Sequence, residues 1–443
     1  MRKEISVMHK LRALKYRYGE MAGDVVWSGI ADLLTIIAQT ASFILLGRNL
    51  GPDRYGGYVG MFGIIGPLGA LSWSGLTLLV MQQILGQRQT PNTVARNALT
   101  LLIAQTIFAS TVSIAIAMLV IKGLSTTEIV LLTLVELAAA PVVMITAGIR
   151  QAVEGFPQAA RLRIGLVLCR SLSLVGLYLV DALTIRNLAI TWLAVISLYS
   201  LYCLARIWPR LGLTPLPGRP SRSMLVANGQ LSLPMASGTL QQDGDKAVLN
   251  GFNLTTDAGL YGAAFRIILM AQLPVQTMNT ALFHRFLGDN EDVMGQHTRR
   301  AVRFSFVSFM GSIPIALAIW LVAPILSIIL GDDFAGSVDI VRWLAPFIPL
   351  LAISSAPLNG LLGLNKNGVR AAVVVSSSVL AMALYLTLIP IFSWRGAAIG
   401  TLIAQVYVAA AGWYLLIKTE RSIDAERTED AATKAATAGA AAS

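Results

Sequence analysis

The hydrophobic pattern of the chain is a series of twelve long apolar segments separated by short polar ones. Most segments hold about 20 residues, the length that an α-helix needs to cross the hydrocarbon core of a bilayer. The apolar positions are continuous and do not alternate, so helices are expected and a β-barrel is not. The twelve predicted spans are 25–46, 59–85, 98–121, 129–149, 162–180, 188–207, 225–252, 258–286, 302–330, 338–362, 371–392 and 397–417.

Composition supports an all-α polytopic membrane protein. Of the 443 residues, 55% are hydrophobic and only 13% are charged, and the mean hydropathy is +0.68. An average soluble domain has about 25% charged residues, so a chain this apolar cannot cover a water-facing globule. The composition therefore excludes a soluble enzyme. The two cysteines lie inside apolar segments, and no disulfide framework is predicted.

The net charge of +11 is explained by the positions of the Lys and Arg residues. If the N-terminus is cytoplasmic and twelve spans alternate, most of the 34 Lys and Arg residues fall on the cytoplasmic side, as the positive-inside rule requires. We therefore predict a multi-pass protein of the plasma membrane with both termini in the cytoplasm. The positive charge then faces anionic lipids, and nucleic acid is not predicted as a partner.

A Pro- and Arg-rich linker at 211–224 divides the predicted spans into two sets of six. A weak internal repeat supports this division, because Leu, Asp, Gly and Tyr recur in the same order at 50–58 and 254–261. An even number of helices per lobe implies two lobes that point the same way around a central cavity. The predicted domains are a basic cytoplasmic segment at 1–24, six-helix lobes at 25–210 and 225–417, the cytoplasmic linker between them, and a disordered or frayed helical tail at 418–443.

Two predicted helices at equivalent positions in the lobes each carry a polar face. Residues three or four apart lie on one side of an α-helix. A charge facing lipid costs roughly 2.5–3.5 kcal/mol at the centre of a span, so both faces are expected to line a water-filled cavity. Interhelical hydrogen bonding is the alternative. The first helix carries Asp24, Ser28, Asp32, Thr35, Gln39 and Ser42, and the seventh carries Asn228, Ser232, Thr239, Asp243, Lys246 and Asn250.

Further charges are predicted inside the membrane. Glu136 lies in the fourth span, Arg170 in the fifth and Arg266 in the eighth. Arg266 and Asp243 lie at a similar depth, and one alternative is that they form a structural ion pair. The seventh span is also interrupted by small or helix-breaking residues, a pattern typical of the moving part of a transporter, although a tolerated kink is the other interpretation. These residues are Pro234, Gly238, Gly244 and Gly251.

The sequence lacks the motifs of an ATP-driven pump or a metalloenzyme. No G-x-x-x-x-G-K-[ST] run is present, so no ATP-binding loop is predicted. The histidines His9 and His297 fall in predicted cytoplasmic segments, and His284 lies at the cytoplasmic end of the eighth predicted span. We therefore predict no metal site, no catalytic residue and no cofactor, and we do not expect an enzyme.

Three motifs carry a family resemblance: GRNLGPDRYGGY at 47–58, DK followed by GLYGAAFRI within 245–267, and LGDDF at 330–334. With the order of the helices, they resemble the polysaccharide transporter (O-antigen flippase) family of the multidrug/oligosaccharidyl-lipid/polysaccharide (MOP) flippase superfamily. The resemblance extends to about residue 418. It implies two lobes around a central cavity and outward flipping of an isoprenoid-pyrophosphate-linked oligosaccharide, a precursor of cell-envelope, capsular or exopolysaccharide.

The resemblance also implies roles for the buried polar residues. A pyrophosphate head group needs cations in a medium of low dielectric constant, and buried carboxylates can bind and release a coupling ion, H⁺ or Na⁺. The predicted substrate-binding residues are Arg170, Lys246, Arg266, Gln39 and Thr239. The predicted ion-coupling residues are Asp32, Glu136 and Asp243.

Several other functions stay open. A cation-coupled multidrug exporter of the MATE type belongs to the same superfamily. A lipid II flippase is disfavoured because such relatives usually carry two further helices. A membrane-embedded glycan polymerase or glycosyltransferase would need longer loops, and a scaffold would leave the polar faces unexplained. The expected partners are the lipid-linked glycan, membrane lipids, and the glycan polymerase and glycosyltransferases of the same pathway.

Overall fold

The computed structural model describes residues 2–277 and 296–441, with side chains within 35–277 and 297–426. Over these residues the secondary structure is helical and contains no strand. The all-α class predicted from the sequence is confirmed. The first helix, α1, runs from Arg2 to Gly69 and is broken at Gly51, whose φ of 67° is left-handed. Because glycine has no Cβ, it adopts this conformation without strain, and the break separates the first two predicted spans.

The remaining helices follow in short connections, and several are interrupted by five-residue π-helical segments. The α-helices are α2 Gly75–Met81, α3 Pro91–Val120, α4 Thr126–Leu134, α5 Ala140–Glu154, α6 Phe156–Leu179, α7 Ile185–Tyr202, α8 Trp208–Arg210, α9 Arg222–Gly251, α10 Thr255–Ala271, α11 Gln296–Val322, α12 Ile325–Leu330, α13 Ser337–Leu344, α14 Phe347–Gly363, α15 Asn367–Phe392 and α16 Trp394–Ala441. The π-helical segments are Ala70–Ser74, Gln82–Gly86, Val135–Ala139 and Cys203–Ile207, and a 3₁₀ turn spans Asp332–Phe334.

Within the described ranges, eight helices are long and apolar enough to cross a membrane. The number is nine if Asp332–Leu344 and Phe347–Gly363, which meet at 42°, form one span. Helix α9, which carries the polar face of the predicted seventh span, is not among them. The chain is therefore a multi-pass membrane protein, and the number of twelve spans is not confirmed.

The chain forms two compact units. The first unit comprises Met1–Leu50, Ile64–Leu119 and Leu124–Ala236, and the second comprises Gly51–Gly63, Val120–Gly123 and Ser237–Ser443. The lobe boundaries predicted from the linker stay a prediction.

The predicted linker is docked on α3 within the first unit. Leu213 is buried in the core of this unit. The backbone N–H of Thr214 donates to Asn92 Oδ1 at 2.9 Å, and Thr100 Oγ1 donates to the carbonyl of Gly218 at 2.9 Å. These bonds satisfy polar groups of a segment that has no regular structure of its own. They also attach the linker between α8 and α9 to α3.

Helix α16 continues to Ala441, so the segment at 418–441 is helical in the structure, and its character as a frayed or disordered tail stays a prediction. Alanine has the highest helix propensity of all residues, so an Ala-rich segment extends the helix beyond the apolar part. The start of this extension is also held by tertiary contacts. Glu420 accepts hydrogen bonds from the backbone N–H groups of His297 and Thr298, each at 2.7 Å, and so caps the first turn of α11.

The two repeat motifs contact each other through bare backbone in the second unit. A Cβ atom on Gly56 would overlap the carbonyl oxygen of Thr255, and a Cβ on Gly259 would overlap that of Pro52. The contact is reciprocal, because Gly56 lies four residues after Pro52 and Gly259 lies four residues after Thr255. Small residues allow helices to approach this closely in membranes. The repeat thus forms a helix–helix contact that only glycine permits.

Some members of the predicted polar faces make interhelical hydrogen bonds. Asn250 is fully buried, and its Nδ2 donates to the carbonyl of Gly56 at 2.7 Å while its Oδ1 accepts from the Lys122 backbone at 3.1 Å. The hydroxyls of Ser42 and Ser171 lie 3.3 Å apart. The interhelical alternative is therefore confirmed for Asn250 and Ser42.

Candidate functional site

The first unit contains an ion pair between two residues for which the sequence predicted different roles. Glu136 lies in the π-helical segment Val135–Ala139, and Arg170 lies on α6. Arg170 Nη2 donates to Glu136 Oε2 at 2.9 Å. The side chains are 26% and 13% exposed, so the pair is largely removed from solvent. Both residues were predicted to lie inside the membrane, but their pairing was not predicted.

The surroundings of this pair leave some of its polar atoms uncommitted. The Arg170 guanidinium lies over the Trp192 ring, 5.6 Å from its centroid, and the indole Nε1 donates to the Arg170 carbonyl at 3.1 Å. Glu136 Oε1 and Arg170 Nε are buried and have no hydrogen-bond partner among the described residues. One donor of the guanidinium and one oxygen of the carboxylate therefore remain without a hydrogen bond inside the described structure.

The second unit contains a more deeply buried cluster on α9. Lys246 Nζ contacts Asp243 Oδ1 at 3.0 Å and Asp245 Oδ1 at 3.2 Å, and it donates to the carbonyl of Gln242 at 2.7 Å. The ammonium also lies 4.2 Å from the centroid of the Phe265 ring. The Lys246 side chain is 6% exposed, and that of Asp245 is fully buried. The cluster thus holds two carboxyl groups and one ammonium group.

Asp245 begins the DK motif of the family resemblance but was not predicted as a site residue. The spacing of three or four residues selects Asp243 and Lys246 on one face of α9, and Asp245 lies off that face. The signal that could have identified it is the short run Asp243-Gly244-Asp245-Lys246, in which two carboxylates precede a lysine inside an apolar chain.

The hydroxyl groups near this cluster come from other helices of the second unit. The hydroxyls of Tyr261 and Tyr385 lie 3.2 Å and 2.9 Å from Thr401 Oγ1, and Tyr385 also donates to the carbonyl of Gln241 at 2.9 Å. All three hydroxyl side chains are buried. No periodicity in the sequence indicated this network, because its members lie on α10, α15 and α16.

A family model described as polysaccharide biosynthesis protein matches residues 21–286, which is more than half of the chain. The chain belongs to the polysaccharide biosynthesis protein family. No curated protein matches this member of the family significantly. The family resemblance that the motifs indicated is confirmed.

Solved structures show the fold of this polysaccharide biosynthesis family member. An inward-facing multidrug resistance MATE family transporter of the MOP superfamily is 17% identical, with 90% of this chain and 99% of that chain covered and a TM-score of 0.67. The outward-facing conformation of such a transporter is 16% identical, with 90% and 96% covered and a TM-score of 0.61. A MOP superfamily transporter from Pyrococcus furiosus Vc1 (DSM3638), with a binding pocket of reverse polarity, is 17% identical, with 89% and 95% covered and a TM-score of 0.59. The family member thus has the MOP transporter fold.

The other predicted site residues of this family member are placed as follows. Asp32 lies on α1, but its side chain is outside the described ones. Gln39 is exposed, and Thr239 on α9 is half-buried. Arg266 on α10 is half-buried and lies close enough to Tyr55 to act on it electrostatically. The predicted pairing of Arg266 with Asp243 stays a prediction.

The predicted substrate cations lie in different units of the chain. Arg170 belongs to the first unit, whereas Lys246 and Arg266 belong to the second. Arg170 and Lys246 each have an acidic partner in their own unit. Over 2–277 and 296–441, no group of three or more His, Cys, Asp or Glu side chains is placed to hold a metal ion.

Proposed function

We propose that this protein is a flippase for an isoprenoid-pyrophosphate-linked oligosaccharide, a precursor of a cell-envelope, capsular or exopolysaccharide. It moves this lipid from the inner to the outer leaflet of the plasma membrane by alternating access, with both termini in the cytoplasm. The observation that carries the proposal is membership of a polysaccharide biosynthesis family by a chain with a transporter fold. Its partners are the lipid-linked glycan, membrane lipids, and the glycosyltransferases and glycan polymerase of the pathway.

Arg170 is the cation best suited to bind the pyrophosphate head group. Its guanidinium is largely shielded from water, is held over Trp192, and keeps an uncommitted Nε. A guanidinium in a shielded site forms strong, charge-assisted bonds to phosphate oxygens. Lys246 and Arg266, with Gln39 and Thr239, are further substrate-binding candidates. Lys246 is the weaker candidate, because two carboxylates already neutralise it.

Glu136 couples head-group binding to an ion. The carboxylate and the pyrophosphate compete for the same guanidinium, because Glu136 Oε2 occupies Arg170 Nη2 at 2.9 Å. Uptake of H⁺ or Na⁺ by Glu136 weakens this ion pair and makes Arg170 available to the anion. Loss of the ion restores the pair and releases the head group. Asp32 and Asp243 are further candidates for the coupling site.

The Arg170→Ala variant should lower flipping by about tenfold or more, the effect of losing one hydrogen bond to a charged group. The assay uses proteoliposomes that contain a nitrobenzoxadiazole-labelled polyprenyl-pyrophosphate oligosaccharide, and dithionite quenching reports the leaflet of the label. A labelled phosphatidylcholine controls for unspecific scrambling. The matched control is Arg186→Ala, because Arg186 is exposed at the start of α7. Equal flipping by Arg170→Ala and the unmodified protein would refute the head-group assignment.

The Glu136→Gln variant should separate flipping from its ion gradient. A glutamine keeps the shape of the side chain but cannot ionise, so the competition for Arg170 no longer depends on the ion. We expect flipping down the lipid concentration gradient to persist, and its stimulation by an imposed pH or Na⁺ gradient to disappear. If the variant keeps the full stimulation, the coupling site lies elsewhere.

A cation-coupled multidrug exporter is the second candidate function, and one observation favours it. The cluster of Asp243, Asp245 and Lys246 has one more carboxyl group than ammonium groups, and acidic side chains in a site suit an organic cation. Several similar solved structures are multidrug resistance MATE transporters. Uptake of ethidium by the same proteoliposomes, without flipping of the labelled glycolipid, would support this alternative and exclude the flippase.

A further inference from the structure

The segment that carries Glu136 has an unusual backbone. The N–H of Ala140 bonds to the carbonyl of Val135, five residues earlier, as in a π-helix. The next residue is Pro141, which has no N–H. In an α-helix the N–H of residue 141 would bond to the carbonyl of Leu137, so the proline leaves that carbonyl without its usual donor. Such π-helical turns are frequent at functional sites.

Side chains from two other helices donate to carbonyls of this segment. Thr106 Oγ1 on α3 donates to the Leu137 carbonyl at 2.8 Å, and Ser200 Oγ on α7 donates to the Ala139 carbonyl at 2.7 Å. In helices, Thr and Ser hydroxyls more often bond to a carbonyl of their own helix, as Thr111 on α3 does. Thr106 therefore supplies the donor that Pro141 lacks, and Ser200 holds the other end of the same segment.

We infer that Thr106 and Ser200 are positioning residues that keep Val135–Ala139 in its π-helical form and so keep Glu136 against Arg170. An α-helix advances about 100° per residue. If the segment closed to regular α-helix, Glu136 would rotate by about one such step relative to α5. Because the Glu136–Arg170 bond is 2.9 Å long, a rotation of this size breaks it. The importance of this positioning for transport rests on the function proposed above.

The experiment measures the ion pair separately from transport. Dicyclohexylcarbodiimide reacts with carboxyl groups in apolar surroundings, and a carboxylate held by a guanidinium, as Glu136 is by Arg170, is protected from it. In the full-length protein purified in detergent, Thr106→Val combined with Ser200→Ala should raise the labelling rate of Glu136 towards the rate in Arg170→Ala. Mass spectrometry of the peptide containing Glu136 measures the rate. Arg170→Ala provides the reference for complete loss of the pair.

Two further variants distinguish positioning from general loss of structure. The single variant Thr106→Ser, in which Ser200 is unchanged, keeps a hydroxyl at position 106. Its Glu136 should be as well protected as in the unmodified protein. Thr111→Val removes a hydroxyl on the same helix that donates to the Ile107 carbonyl of α3 itself, and it should label like the unmodified protein. If the double variant does not accumulate, Thr106→Val alone is used, and it should give a smaller rise in labelling.

The outcomes separate this inference from the proposed function. Unchanged labelling of Glu136 in the Thr106 and Ser200 variants overturns the positioning role, whatever happens to transport. If Glu136 is labelled as fast in Thr106→Ser as in Thr106→Val, the positioning role is also overturned, because the hydroxyl would then not be the cause. If labelling is faster in the Thr106→Val variants but not in Thr106→Ser, the positioning role is supported. If the unmodified protein at the same time does not flip the labelled glycolipid, the flippase is refuted.

Discussion

The Gly56→Ala variant should be destabilised by about 3 kcal/mol, the upper part of the range for overpacking a tight contact. Its Cβ atom would overlap the carbonyl oxygen of Thr255. The obstacle is main chain on a neighbouring helix, so no side-chain rotation can relieve it. Thermal unfolding of the detergent-purified protein measures the effect. Gly259→Ala should behave in the same way, because its Cβ would overlap the Pro52 carbonyl.

The control for this prediction is Gly229→Ala on α9. A Cβ at Gly229 meets no atom within 4 Å, and alanine is favoured over glycine in a helix by about 0.5–1 kcal/mol. We therefore expect Gly229→Ala to unfold at the same temperature as the unmodified protein or slightly higher. If Gly56→Ala matches this control, the close contact of the two repeat motifs does not exist in the folded protein.

The Lys246→Met variant should lose about 3–5 kcal/mol of stability, because removing one partner of a buried ion pair leaves an uncompensated charge. Lys246 is the cation between Asp243 and Asp245, and Asp245 is fully buried. Methionine fills a similar volume but leaves two carboxylates close together in an apolar environment. Thermal unfolding in detergent, with protein levels in the membrane as a second measurement, reports the loss.

A compensating substitution tests the cause of this loss. Adding Asp245→Asn to Lys246→Met removes the buried charge that has lost its partner, and it should recover part of the lost stability. The two single variants and the double variant form a thermodynamic cycle that isolates the pairwise interaction. Lys122→Met is the control, because the Lys122 side chain is exposed. Strictly additive effects would contradict the buried ion pair.

The sequence by itself determined the features that depend on local composition. Long apolar segments predicted an all-helical membrane protein, because a span of hydrocarbon requires about 20 apolar residues whatever the tertiary contacts are. The polar interval between the first two predicted spans predicted an interruption there, and the structure breaks α1 at Gly51 within that interval. The motifs predicted the family that the match over 21–286 confirms. The charges Glu136, Arg170, Asp243 and Lys246 could also be selected from the sequence, because each is costly inside a membrane.

Only the tertiary structure decided which partner each of these charges has. Glu136 and Arg170 are 34 positions apart. Their depths in the membrane can be read from the sequence, but these do not determine which faces of the two helices contact each other. The donor to the Leu137 carbonyl is likewise Thr106, 31 positions earlier. Because Pro141 has no N–H, the sequence shows that the Leu137 carbonyl lacks its usual helical donor. It does not show that the Thr106 hydroxyl takes the place of that donor. Helical periodicity describes one helix at a time, whereas the ion pair and its support depend on how α3, α5, α6 and α7 pack together.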